Sequence, residues 1–196
     1  MTKIIMIAGL ALLALPLAGA AHAADSTVFD LLGKDPGNTE AYSCYVRHYD
    51  AAHLASHPQQ NVRNMSLFVD SRYDSDNGRQ YQIEIGVNFR KEKAPLQISG
   101  GCSTTVDGKQ GLDCGADCDG GHFGVTTQGK QSILVSIPDY IRIWDPKAPD
   151  DQPDKLPKGA EFGKDDKLFR LDRTDLSVCK SLMTDDEMAA IFGKKK

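Results

Sequence analysis

The chain has 196 residues, 40% of them hydrophobic and 26% charged, with 23 Lys and Arg against 27 Asp and Glu for a formal net charge of −4. That length suits one domain with a core of its own. The mild acidity gives no support to binding nucleic acid through its phosphates, and after the first seventeen residues no segment is apolar for long enough to cross a bilayer as a helix.

The N-terminus reads as a secretory leader. Lys3 supplies the positive start, Ile4 to Leu17 the apolar stretch, and "AHA" at 21–23 a small-x-small cleavage site. Leu17-Ala18-Gly19 is followed by Ala20 and not by cysteine, which argues against a lipid anchor. Cleavage after Ala23 would leave one domain, 24–196, with 22 basic side chains against 27 acidic. The expected place of work is the periplasm or the exterior.

In chain order, "STVFDLLG" offers a helical turn stopped by Gly33 and Pro36. From about Ala41 the pattern has period 2. "MSLFVDSRY" and "RQYQIEIGVNFR" are partner strands across "DSDNG", with Asn77-Gly78 as the turn signal. In the second of these, Tyr81, Ile83, Ile85, Val87 and Phe89 share a face opposite Gln82, Glu84, Gly86 and Asn88. One buried and one wet face favours an antiparallel sheet. "APLQISGGCSTT", "HFGVTTQ", "QSILVSI", "DYIRIWD" and "KLFRLDR" continue the strands, with "QGK" at 128–130 as a tight connection. Residues 145–167, with four prolines and many charges, read as a surface loop. "TDDEMAAIFG" carries a capping box, Thr184 with Glu187, and a stop at Gly193, so a short C-terminal helix is expected. The sum is an all-β antiparallel meander of about eight strands, closed as a small barrel or folded as a sandwich.

Five cysteines, Cys44, Cys102, Cys114, Cys118 and Cys179, follow the leader. An oxidising compartment makes disulfides the default, and an odd count leaves one thiol over. Around "DGKQG", a three-residue loop centred on Gly108 sets residues whose numbers sum to 216 opposite each other, and Cys102 then faces Cys114. A two-residue turn would set Cys102 against Asp113. Cys102 therefore pairs with Cys114 or with Cys118, and Cys44 with Cys179 would tie the first strand to the chain end.

"CGADCDGGH" concentrates chemistry-bearing residues without completing a motif. Cys114 and Cys118 have three residues between them and precede a strand, unlike a helix-borne redox pair. Zinc would need the thiols reduced, against the export context. Asp113, Asp117 and Asp119 offer hard oxygen ligands on a glycine-rich loop, a weak calcium candidate, although the EF-hand pattern is absent. In "HLASH", His53 and His57 stand four apart, but Leu54 holds the place where a zinc protease needs its glutamate. No nucleophile elbow or phosphate loop is present, so the expectation is a non-enzymatic protein with no resident cofactor.

"YDAAHLASHPQQNV" and "CGADCDGGHFGV" together resemble exported proteobacterial proteins that carry a His-Leu-x-x-His-Pro segment near the N-terminus and a Cys-Asp-Gly-Gly segment after a hairpin. The likeness spans roughly 41–180. It implies that the two segments belong to one architecture, and it implies no activity and no functional residue.

The functional expectation is a binding module that takes a small ligand inside the barrel or presents loops to a partner. Tyr140, Arg142 and Trp144, on one face of "DYIRIWD", are the ligand or partner candidates. The alternative is a protein–protein module, such as an inhibitor of an envelope enzyme, that docks through 145–167. A solid barrel interior would exclude the interior-ligand version.

Overall fold

The computed structural model describes residues 29–92, 95–105, 111–137, 140–149, 155–183 and 190. The leader and the expected helix at 184–193, Ala190 apart, lie outside them.

Eight strands follow in order: β1 Ala41–His48, β2 Val62–Asp74, β3 Gly78–Phe89, β4 Leu96–Thr104, β5 Gly111–Ala116, β6 His122–Thr127, β7 Ser132–Ser136 and β8 Leu168–Thr174. Each pairs antiparallel with the next, and β8 returns to β1, so the sheet is a closed up-and-down barrel. Closure removes the sheet edges that an open meander would leave unpaired.

The period-2 pattern fixes which face is inside. Tyr81, Ile83, Ile85, Val87 and Phe89 of β3 are all buried, as are Met65, Leu67 and Val69 of β2 and Phe169 and Leu171 of β8. The outward positions are mostly Asp, Arg, Gln, Asn, Ser and Thr. That is the reverse of a membrane barrel, whose apolar band faces lipid. Among the described residues no helix is long and apolar enough to cross a membrane.

Both mouths are closed by chain. At the lower mouth, where β1 starts, a helical turn at 29–32 inserts Leu31 and Leu32, which are 0% and 5% exposed. Tyr45 Oη donates to Leu31 O at 2.7 Å. Arg173 Nη2 donates to Asp30 O and Leu31 O at 2.7 and 2.8 Å, and its guanidinium lies 4.8 Å from the Tyr45 ring centre. Burial outweighs that nearby cation and pushes the Tyr45 phenol up to about 12.

At the upper mouth the segment expected to be a surface loop is largely exposed where it is described, yet part of it joins a plug: Ala160 is buried, and Phe162 packs edge-on against Phe89 at 5.5 Å. Ile141 and Ile143, from the stretch before it, are buried with them. Asp166, fully buried, anchors the plug by accepting from the backbone N–H of Asn61, Val62 and Gly163 at 2.6, 3.2 and 2.8 Å. A short helix, α1 (Ala51–Ser56), sits beside this mouth, N-capped by Asp50, which accepts from His53 N. Arg90 ties it down by donating to Leu54 O and His57 O at 2.8 and 2.7 Å.

"DYIRIWD" is not a strand. β7 already pairs with β8 and leaves no vacancy there. Beyond Gly100, which pairs with Ala116 at the end of β5, β4 has a free edge. Trp144 fills it with two backbone hydrogen bonds to Gln97, and Ile141 bridges to Gly121.

A second apolar cluster lies outside the barrel. After β8, a 3-10 helix, Leu176–Leu182, runs along the outer wall of β1 and β2. Cys179 bonds to Cys44, and Leu182 and Met183 join Phe68 there. Gly86 lies beneath it: a Cβ would stand 2.8 Å from Ser66 Oγ and 3.0 Å from Leu182 Cδ2, so a larger residue would make those side chains shift.

Candidate functional site

Large side chains from around the wall, among them Tyr45, Met65, Phe89, Phe123 and Phe169, fill the barrel interior at no more than 2% exposure. A ligand cannot enter without displacing them, which removes the interior-ligand expectation. The hollows lie on the outside.

Among the described residues, a groove of about 710 Å³ crosses the outer wall of β2 to β6. Strand register explains it. One row of directly opposed outward residues runs Asp70, Gln82, Gly101, Gly115, His122. In the row below, Arg72 opposes Gln80 on β2 and β3, and Ser103 opposes Asp113 on β4 and β5. Two adjacent glycines in the middle of the first row drop the wall to bare backbone, and longer side chains rise on either side. Neither glycine is needed for packing. A Cβ on Gly101 would come no nearer than 3.8 Å to Gln82 Oε1, and one on Gly115 no nearer than 4.0 Å to the His122 ring.

The polar groups of the groove are held by specific partners. Arg72 Nη2 lies 2.9 Å from Asp70 Oδ2, and Nε donates to the same carboxylate at 3.0 Å. Gln80 Nε2 donates to Asn77 O at 3.0 Å. Gln82 Nε2 donates to Glu84 Oε1 at 3.4 Å. Glu84 faces outward yet is 6% exposed, and its other oxygen accepts from Ser99 Oγ. Burial raises its pKa above the usual carboxylate range, opposed by the Ser99 and Gln82 hydrogen bonds.

The candidates read from sequence fall elsewhere. Arg142 and Trp144 meet Asp117 and Cys118 in a shallow notch of about 210 Å³ at the upper mouth. Tyr140, 67% exposed, lines a second notch there with Arg142. The three do not form one strand face. Asp113 lies in the groove and Asp117 in the notch, so the proposed calcium ligands are not gathered. Among the described residues no three His, Cys, Asp or Glu side chains converge as a metal site. His53 and His57 stack at 4.1 Å, with His53 Nε2 bonded to Gln60 and His57 Nδ1 to His53 O.

Cys102 pairs with Cys114, directly opposite it in the ladder, and the alternative with Cys118 is excluded. Cys118 is the free, exposed thiol. With Asp119 it sits in the β5–β6 connection at 117–121, both residues at positive φ (58° and 56°), and Gly120 N–H closes the turn by donating to Ala116 O at 3.2 Å.

The groove went unread in the sequence, although its signal was available. The 216 register that opposes Cys102 and Cys114 also opposes Gly101 and Gly115. Comparison with known family models, curated proteins and solved structures finds no match to this chain.

Proposed function

We propose that this is an exported, non-enzymatic binding module, released from its leader near Ala23, whose ligand sits in the outer groove over Gly101 and Gly115. The observation that carries the reading is the pairing of a filled interior with a wall lowered by two glycines that packing does not demand. Its volume lies within the range of small-ligand sites. The two disulfides agree with an oxidising compartment.

The test is to fill the groove. Gly101→Leu and Gly115→Leu meet open space and should fold as the parent does, with unchanged circular dichroism. Native mass spectrometry of protein purified from the periplasm should show an adduct on the parent that both variants lose. An adduct retained in full by both would place the ligand elsewhere.

A second reading, a protein-interaction module, draws on Tyr140, which stands exposed at the plugged mouth. Under it, Tyr140→Ala would abolish capture of a partner while the groove variants kept it. Deleting 145–167 is no test, since the loss of Phe162 and Asp166 would open the barrel.

A further inference from the structure

We infer that the groove selects an organic cation rich in N–H donors, an ammonium or guanidinium group, over anions and over neutral polyols. The inference rests on the groove being the ligand seat and concerns what that seat recognises.

It follows from which hydrogen-bonding groups are already used. Gln80 turns its amide nitrogen to the Asn77 and Gly78 carbonyls at 3.0 and 3.5 Å. Gln82 turns its own to the Glu84 carboxylate. Those partners are acceptors, so the nitrogens must face them, and each side chain presents its carbonyl oxygen. That of Gln82 overlies Gly101, 3.8 Å from where a Cβ would stand. Arg72 spends Nε and one N–H of Nη2 on Asp70, which leaves three of its five N–H donors. The carboxylate of Asp113 lines the same groove and, among the described residues, has no ion pair or hydrogen bond.

The free capacity is therefore mostly acceptor: two amide oxygens, the Asp113 carboxylate and the unused lone pairs of Asp70, against the three remaining N–H groups of Arg72. Ser103 and His122 can act either way. A phosphate or carboxylate would meet mostly oxygen against oxygen and a net like charge, that of Asp113. A sugar hydroxyl brings two lone pairs for each proton and would leave most of them unpaired. An ammonium brings three donors and no acceptor, and a guanidinium five and none. The floor over Gly101 and Gly115 lets such a head descend to the level of the oxygens. One charge of surplus, Asp113 beyond the Asp70–Arg72 pair, matches one cationic head.

The head could belong to a free polyamine or to a basic side chain of a polypeptide, and titration separates the two. Backbone amide shifts of the full protein would be followed with spermidine, a tri-arginine peptide, fully N-acetylated spermidine, maltotriose and inorganic phosphate. Saturable shifts at Gly101, Gly115 and Asp113 are expected from spermidine, the peptide or both, weakening as salt rises. The stronger of the two identifies the source. Acetylated spermidine, maltotriose and phosphate should leave those amides still. Asp113→Asn should weaken the cation about tenfold, the value of one charged hydrogen bond. Asp172→Asn, on the outward face of β8, should not weaken it.

Equal response to maltotriose or to acetylated spermidine would keep the seat and overturn the cation. So would silence from every probe while Gly115→Leu still removed a native adduct. Equal loss in Asp113→Asn and Asp172→Asn would reduce the effect to diffuse surface charge and overturn the inference. Shifts confined to another surface would overturn the seat itself.

Discussion

Glu84 shows how one residue can work against its own fold. It is placed on the polar face of β3 by simple alternation, yet its neighbours bury it to 6% exposure. Two hydrogen bonds, from Ser99 and Gln82, do not offset its lost hydration, so its pKa is raised in the fold. A raised folded pKa means that the native state binds the proton more tightly than the unfolded chain. Glu84 therefore favours folding below the ordinary glutamate range, and that contribution is lost as pH rises through the raised value. Glu84→Gln keeps the size and the hydrogen-bonding ability while removing the charge. Denaturant midpoints taken across the acid range should show the parent losing ground to Glu84→Gln as pH rises to neutral. A variant less stable than the parent at neutral pH would show that the charge is compensated in a way the hydrogen bonds do not reveal.

Among the elements, the 3-10 helix Leu176–Leu182 has the weakest intrinsic claim to form. It is short and lies outside the barrel with few buried side chains, Cys179 and Leu182 among them. Its attachment depends on Cys44–Cys179, which closes a separation of 135 residues, against 12 for Cys102–Cys114. The chain-entropy relation assigns about 5 kcal/mol to the long loop and about 3 kcal/mol to the short one. Changing both Cys44 and Cys179 to Ser should therefore cost more stability, read as a lower urea midpoint, than changing both Cys102 and Cys114. The reverse order would mean that the short bridge acts mainly through native packing. The β5–β6 hairpin makes a related point. Its turn holds Cys118 and Asp119, neither of them glycine, at positive φ, a region that is tolerated by aspartate and disfavoured for cysteine.

At the scale of the whole molecule, this eight-stranded barrel takes the filled-interior solution, and its ends are closed. Here the ends are closed by segments remote in sequence, 29–32 below and the stretch around Ile141 to Phe162 above. Leu31 is 0% exposed and belongs to the main core, so it is as much a core residue as any in the strands. Leu31→Ala should cost about 2–5 kcal/mol, as for a buried leucine in a strand. A thermal shift near zero would show that the turn only rests on the mouth. The same filling is the reason we propose binding on the outer wall. A core packed to this level holds no guest, whereas the outer rows can be shortened to glycine without loss of packing.

Much of this protein was already written in local pattern. Strict alternation in Tyr81 to Phe89 placed the inward face because a side-chain period of 2 leaves one choice of side. The parity of the loop around Gly108 allowed Cys102 to face Cys114. The turn at 128–130 and the polar face of β3 follow from composition alone. What tertiary structure decided depends on closure. Only when β8 meets β1 is there no place for "DYIRIWD" as a ninth strand, and only then are there mouths for Leu31 and Phe162 to fill. The pairing of Cys44 with Cys179 and the burial of Glu84 have the same origin, since each depends on contacts between segments far apart in the chain. The groove stands between the two. Its glycines are opposed by a register that the sequence implies, but its depth and its surplus of acceptors come from how Gln80, Gln82 and Arg72 spend their donors once the wall is assembled.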